Sequence, residues 1–240
     1  MAKPEIRAVL FDKDGTLIDF DATWNPVYLE TVNTLTRGNQ ELSRRLLEIG
    51  GWDFTSGTAR AGSPLRQGSN AQIAALWAKE MRYPGKVETL EFQIDVLFRM
   101  GGVQHAKPTT PHLPELLVRL KRANLRIGVA SMDGEAAVRA TLERLDLSPF
   151  IDFVAGYDSG HGIKPEPGMV LAFARLCTIK PANLSVVGDS PHDLAMGRAA
   201  GAGLVVGFTG GGGVSDLLAP NADHIIERLE DLLALIRTTA

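Results

Sequence analysis

The chain has 240 residues, 45% hydrophobic and 22% charged, so it can fill a core and does not have the make-up of a disordered segment. Its 25 Lys and Arg against 28 Asp and Glu give a formal net charge of −3, which argues against nucleic acid as the main partner, because binding a phosphate backbone uses a basic face. A single cysteine, Cys177, excludes an intrachain disulfide, and no stretch approaches the ~18 apolar residues of a membrane span. The first residues show no cationic segment followed by a long apolar run, so the expectation is a cytoplasmic protein with no signal peptide and no membrane contact.

Ala8-Val9-Leu10-Phe11 is a short apolar run, and Ile6 to Phe11 reads as a buried strand. It leads directly into Asp12-Lys13-Asp14-Gly15-Thr16, which places two carboxylates at the end of that strand. Residues 20–100 then read as helical, with apolar spacings such as Leu42/Leu46/Ile49, Ile73/Leu76/Trp77 and Leu90/Ile94/Leu97, and with no convincing strand. Their widest irregular stretch, Gly51 to Ser69, carries Arg60 and Arg66.

From about residue 105 strands and helices alternate. A helix is expected over His112 to Asn124, a strand over Arg126 to Ser131, a helix over Glu135 to Leu147 and a strand over Ile151 to Ala155. There follow a helix over Pro167 to Cys177, a strand over Leu184 to Gly188, a helix through Ala200, a strand over Leu204 to Phe208 and a last helix through Leu229, Leu232, Leu233 and Ile236. The fold class is therefore α/β: a Rossmann-like parallel sheet with helices on both faces, plus a small all-helical domain inserted after the first strand. The expected division is residues 1–19 with 101–240 for the α/β core and 20–100 for the helical insertion. Cys177 is expected in the core, and Gly210–Gly213 as a flexible loop.

Four chemical features fall at the ends of expected strands: Asp12 with Asp14, Ser131, Lys164, and Gly188-Asp189 with Asp193. An open α/β sheet binds ligands beyond the carboxyl ends of its strands. Each feature also has a bland reading. Ser131 or Asp193 could cap a helix, Lys164 could be a solvated loop lysine, and Asp-Gly is a common turn pair. Their order along one chain is harder to explain away.

This combination resembles the haloacid dehalogenase superfamily, which carries four short motifs in the same order. Asp12-Lys13-Asp14-Gly15-Thr16 is similar to its first motif, Ser131 to the second, Lys164 to the third, and Gly188-Asp189 with Asp193 to the fourth. The resemblance spans essentially the whole chain, because the helical block falls where many members carry a helical cap. The phosphoglycolate phosphatase-like members look most similar. Lys13 departs from them, standing where they usually have a bulky apolar residue, and so does Asp133, where asparagine is frequent.

The resemblance implies a phosphatase that acts on a small phosphorylated metabolite with Mg²⁺. Asp12 is expected as nucleophile and metal ligand, and Asp14 as acid/base and, through its backbone carbonyl, metal ligand. Asp189 and Asp193 complete the metal site, while Ser131 and Lys164 hold the phosphoryl oxygens. The physical chemistry agrees: a phosphate dianion repels a carboxylate nucleophile, and a hard divalent cation or a lysine relieves that repulsion. Arg60 and Arg66 are candidate contacts to the leaving group. A sugar phosphomutase on the same scaffold is the nearest alternative, followed by a phosphonate-cleaving relative that would need a lysine such as Lys79 or Lys86, and a non-catalytic phosphate-binding module. His105, His112, His161, His192 and His224 are not spaced as a metal cluster and read as surface or loop residues, His192 lying in the fourth motif. A monomer or a homodimer is expected.

Overall fold

The computed structural model describes residues 5–238. One compact unit ends at Phe20 and resumes at Lys107; the other is Asp21–Ala106.

The first unit is built on six parallel strands, in the spatial order Phe153–Ala155, Arg126–Ala130, Ala8–Asp12, Leu184–Gly188, Leu204–Phe208 and His224–Ile226. Ala8–Asp12 and Leu184–Gly188 are buried at every residue, as a strand between covered faces requires. Ala8 and Leu10 join Val170, Phe173, Val186 and Met196 in one cluster. The alternating Val9 and Phe11, also fully buried, turn to the opposite face.

Numbered along the chain, the strands run 3-2-1-4-5-6. The chain builds outward on one side of Ala8–Asp12 and then crosses to begin the other side at Leu184–Gly188. This reversal leaves a crevice beyond the carboxyl ends of those two strands. The edge strand His224–Ile226 was not expected from the sequence, where His224 reads as a surface or loop residue; it is exposed, and three residues are too few to show a strand period. The last helix is shorter than its apolar stripe suggests, because Leu229–Asp231 is a separate 3₁₀ turn ahead of Leu232–Thr238.

The second unit holds the helices Gln40–Gly50, Asn70–Met81 and Val87–His105, together with most of Phe20–Leu35. Asn39 and Ser69 cap two of these helices through hydrogen bonds to backbone N–H groups. Phe98 meets the rings of Trp24, Tyr28 and Trp77 edge-on at 5.5–6.3 Å, and the Trp77 indole N–H donates to Leu46 O at 2.9 Å. Helix Val87–His105 runs past residue 100, so the unit closes at Ala106. The stretch Gly51 to Ser69 is not irregular throughout. Trp52–Asp53 pairs antiparallel with Thr58–Ala59, and Pro64–Gln67 forms a short helix. Asp53 Oδ1 accepts from Thr55 N at 2.8 Å within the turn of that ribbon; two-residue strands carry no period that a sequence pattern could reveal.

Candidate active site

Asp12 is the last residue of the central strand, in register with Ala130. The chain turns tightly after it. Lys13 O accepts from Leu17 N at 3.0 Å and from Ile18 N at 2.8 Å, and Thr109 Oγ1 donates to Thr16 O at 2.7 Å. Gly15 has φ +81°, and a Cβ there would lie 2.0 Å from Asp189 Oδ2. Only glycine allows this loop to take that conformation so close to the neighbouring strand end.

Asp189 follows the strand Leu184–Gly188, and Asp193 lies in the first turn of helix Pro191–Ala200. Asp193 takes part in capping its own helix. Its Oδ2 accepts from Ser190 N at 3.0 Å and from Ser190 Oγ at 2.6 Å, completing a capping box. Its Oδ1 stands 2.6 Å from Lys164 Nζ, a charge contact without hydrogen-bond alignment. Lys164 is not solvated: its side chain is 3% exposed and its ammonium donates to Asp12 Oδ1 at 2.5 Å. One carboxylate oxygen from each of Asp12, Asp189 and Asp193 lies within 4.8 Å of the others.

Negative charge is in excess here. Burial first, then Asp193, pushes the Asp12 carboxyl up to about 7, against the pull of Lys164. Burial, then Asp12 and Asp193, pushes Asp189 up to about 9. Burial alone would lower Lys164, but Asp12 and Asp193 hold its ammonium above its usual range. Asp12 Oδ2 is buried with no hydrogen-bond partner. A buried orphan carboxylate oxygen, with two further carboxylates in reach, fits a hard divalent cation such as Mg²⁺.

Ser131 follows Ala130 at the same end of the sheet and is 1% exposed. Its N–H donates to Ala155 O at 2.9 Å and its Oγ accepts from Asp133 N at 3.0 Å. It does not cap the following helix, whose N-cap is Gly134 and whose Glu135 N–H donates to Asp158 Oδ1 at 2.8 Å.

Two features of this region go beyond the sequence reading. Lys13 is buried, with Nζ 2.7 and 2.6 Å from the two oxygens of Asp14 and 2.9 Å from Asp133 Oδ2. Burial alone would lower its ammonium, yet Asp133 and Asp14 carry it above its usual range. The sequence flagged Lys13 and Asp133 as departures from the family pattern, but not that they meet. The glycine run forms a loop that lies close to other backbone: a Cβ at Gly211 would lie 2.0 Å from Gly15 O, and one at Gly213 would lie 2.2 Å from Phe208 O and 3.0 Å from Asp189 O. Glycine is read from sequence as freedom, but it also permits backbone to approach backbone.

The remaining candidates have these surroundings. Arg66 and Arg60 belong to the helical unit, where Arg66 Nη1 pairs with Asp21 Oδ1 at 2.6 Å and Arg60 Nη1 donates to Trp52 O at 3.2 Å. Lys79 and Lys86 are exposed. Cys177 is only partly buried at the margin of the core, and burial raises its thiol. His192 and His224 are exposed, His161 stacks on Phe153, and His105 bonds Glu30 at 3.0 Å.

A doubly wound parallel sheet with a carboxylate and lysine centre at its switch point defines the class: an α/β protein with a candidate active site at the carboxyl ends of its strands. Residues 6–201 match the haloacid dehalogenase-like hydrolases, and the chain belongs to that family. It is 32% identical over 250 residues to a phosphoglycolate phosphatase of Escherichia coli strain K12, covering 95% of this chain and 92% of that one. It is 25% identical over 232 residues to the pyrophosphatase PpaX of Bacillus mycoides, covering 97% of each. Among solved structures, a HAD-superfamily hydrolase of Geobacter sulfurreducens shares the fold with a TM-score of 0.67 over 98% of both chains, at 19% identity.

Proposed function

We propose that this protein is a Mg²⁺-dependent phosphatase that hydrolyses small phosphorylated metabolites, phosphoglycolate-like monoesters among them, through an aspartyl-phosphate on Asp12. The observation that carries this reading is the buried Asp12 carboxylate, paired with Lys164 through one oxygen and orphaned at the other. Likeness to the phosphoglycolate phosphatase of E. coli supports the substrate class.

Asp12, Asp189 and the backbone carbonyl of Asp14 would hold Mg²⁺, with Asp193 as a further ligand or anchor. The cation, when bound, supplies positive charge that lets a carboxylate approach a phosphate dianion. Asp12 attacks phosphorus, a bond forms between its oxygen and phosphorus, and the ester P–O bond breaks. Asp14 gives its proton to the departing alcohol oxygen. Asp14 then takes a proton from water as the water oxygen attacks phosphorus, the bond to Asp12 breaks, and inorganic phosphate leaves. Lys164 and Ser131 hold the phosphoryl oxygens throughout, and Lys164 offsets the charge that shifts in the transition state. Arg60 and Arg66 contact the leaving group and select the substrate.

The test is phosphate release from 4-nitrophenyl phosphate and from a panel of phosphorylated metabolites, with Mg²⁺ or with EDTA. Activity that needs Mg²⁺ and is lost in Asp12→Asn supports the reading. Undiminished turnover by Asp12→Asn overturns it, and transfer of the phosphoryl group to a sugar without phosphate release replaces it with a mutase.

A further inference from the structure

Lys13 and Asp133, both noted above as departures from the motifs the chain resembles, touch each other. Lys13 is covalently next to Asp14, yet its side chain does not run out to solvent: it is 2% exposed. Its ammonium contacts both oxygens of Asp14, at 2.7 and 2.6 Å, and Asp133 Oδ2 at 2.9 Å. Asp133 is itself held on a different loop, beyond strand Arg126–Ala130. Its N–H donates to Ser131 Oγ at 3.0 Å and its carbonyl accepts from Tyr157 N at 3.1 Å. A buried ammonium needs counter-charge, and a carboxylate held through both oxygens loses its freedom to rotate. The lysine therefore ties the loop of Asp14 to the loop of Ser131, and an apolar side chain at position 13 could not do so.

We propose that Lys13 is a positioning residue, anchored by Asp133, that fixes the orientation of the Asp14 carboxyl group, which in its protonated form gives a proton to the leaving group and regains one from the attacking water. This rests on the phosphatase reading, in which Asp14 is the acid. It also makes the two departures a compensating pair: the lysine is tolerated because the aspartate is there.

A leaving-group series tests it. Nitrophenolate departs without a proton, whereas a phenolate of pKa ~10 needs one, and aryl phosphates across that range keep nearly the same shape. The quantity to compare is kcat/KM, which reads the steps up to loss of the leaving group. In Lys13→Met, kcat/KM for phenyl phosphate should fall by roughly ten-fold or more relative to native protein, while 4-nitrophenyl phosphate stays within about three-fold, because proton transfer contributes on the order of 10²–10⁴-fold. Asp133→Asn should shift the same ratio in the same direction by less. The ratio within one preparation cancels any loss of folded protein, so a poorly folding Lys13→Met still reports. An equal loss across the series in both variants overturns the proposal and makes Lys13 a structural residue. Asp14→Asn separates the two levels. Steep leaving-group dependence there, with none in the Lys13 and Asp133 variants, removes only this proposal; no such dependence in Asp14→Asn, or no phosphate release by native protein, removes the phosphatase mechanism and this proposal with it.

Discussion

The ammonium of Lys164 lies 2.5 Å from Asp12 Oδ1, although the two residues are 152 positions apart in the chain. Both are buried, and the same ammonium also faces Asp193 at 2.6 Å. Lys164→Met should therefore do two things. It removes the charge that holds a phosphoryl oxygen, so kcat/KM on any accepted ester should fall by about 10²-fold or more. It also leaves Asp12 and Asp193 buried with less counter-charge, so the metal-free protein should melt at a lower temperature. Assays of phosphate release and thermal unfolding in EDTA check both effects.

Mg²⁺ should stabilise the folded chain in a concentration-dependent way, because burial pushes Asp12 up to about 7 and Asp189 up to about 9 and a bound cation favours their ionised forms. The thermal midpoint of native protein should rise as Mg²⁺ is added, and that rise should vanish in Asp189→Asn. A midpoint indifferent to Mg²⁺ in native protein would count against a metal at these carboxylates.

Gly15→Ala and Gly201→Ala form an informative pair. Both glycines have positive φ, +81° and +74°, but a Cβ at Gly15 would meet Asp189 Oδ2 at 2.0 Å, whereas one at Gly201 meets nothing within 4 Å. Gly201→Ala should cost only the left-handed strain, about 1 kcal/mol, with activity intact. Gly15→Ala should add displacement of Asp189 and lower kcat by roughly ten-fold or more. Denaturant melts and steady-state kinetics on the two variants distinguish strain from disruption of the site.

Asp152 provides a stability prediction remote from the chemistry. Burial would raise its carboxyl, but bonds from Lys121 Nζ at 2.8 Å, Ile127 N at 2.8 Å and Arg126 Nη1 at 2.5 Å hold it below the usual carboxylate range. A carboxyl with a lowered folded-state pKa stabilises above its ordinary value of 3.8 and loses that contribution as pH falls through the folded value. Asp152→Asn should therefore cost about 1–3 kcal/mol at neutral pH, and the gap to native protein should close in acid. A gap that stays constant with pH would mean that the charge contributes nothing.

Arg66→Ala should raise KM for a small carboxylated phosphate ester while leaving 4-nitrophenyl phosphate unaffected, if the guanidinium selects the leaving group. Because Arg66 pairs with Asp21 at 2.6 Å, an equal loss on both substrates would instead identify it as a structural tie of the helical unit.

The parallel α/β sheet was legible in the residues alone, because buried strands and amphipathic helices alternate with their own periods, as in Val129-Ala130 and the Leu113/Leu116/Leu117/Leu120 stripe. The sequence also brought Asp12 and Asp14 together, since they are near neighbours in the chain and follow a strand. Short elements escaped it: His224–Ile226 and the ribbon Trp52–Asp53 with Thr58–Ala59 are too brief to show a period. Which lysines are buried depends on contacts between distant segments. Lys164 was legible as a candidate site residue through its motif and Lys13 as a departure from one, but their burial follows from distant loops that place Asp133, Asp12 and Asp193 around them. The packing of the glycine run against the backbone of Gly15 likewise depends on such contacts. Periodicity encodes which way a residue faces within its own element; the charge that meets it from another element is fixed only when the sheet closes its order.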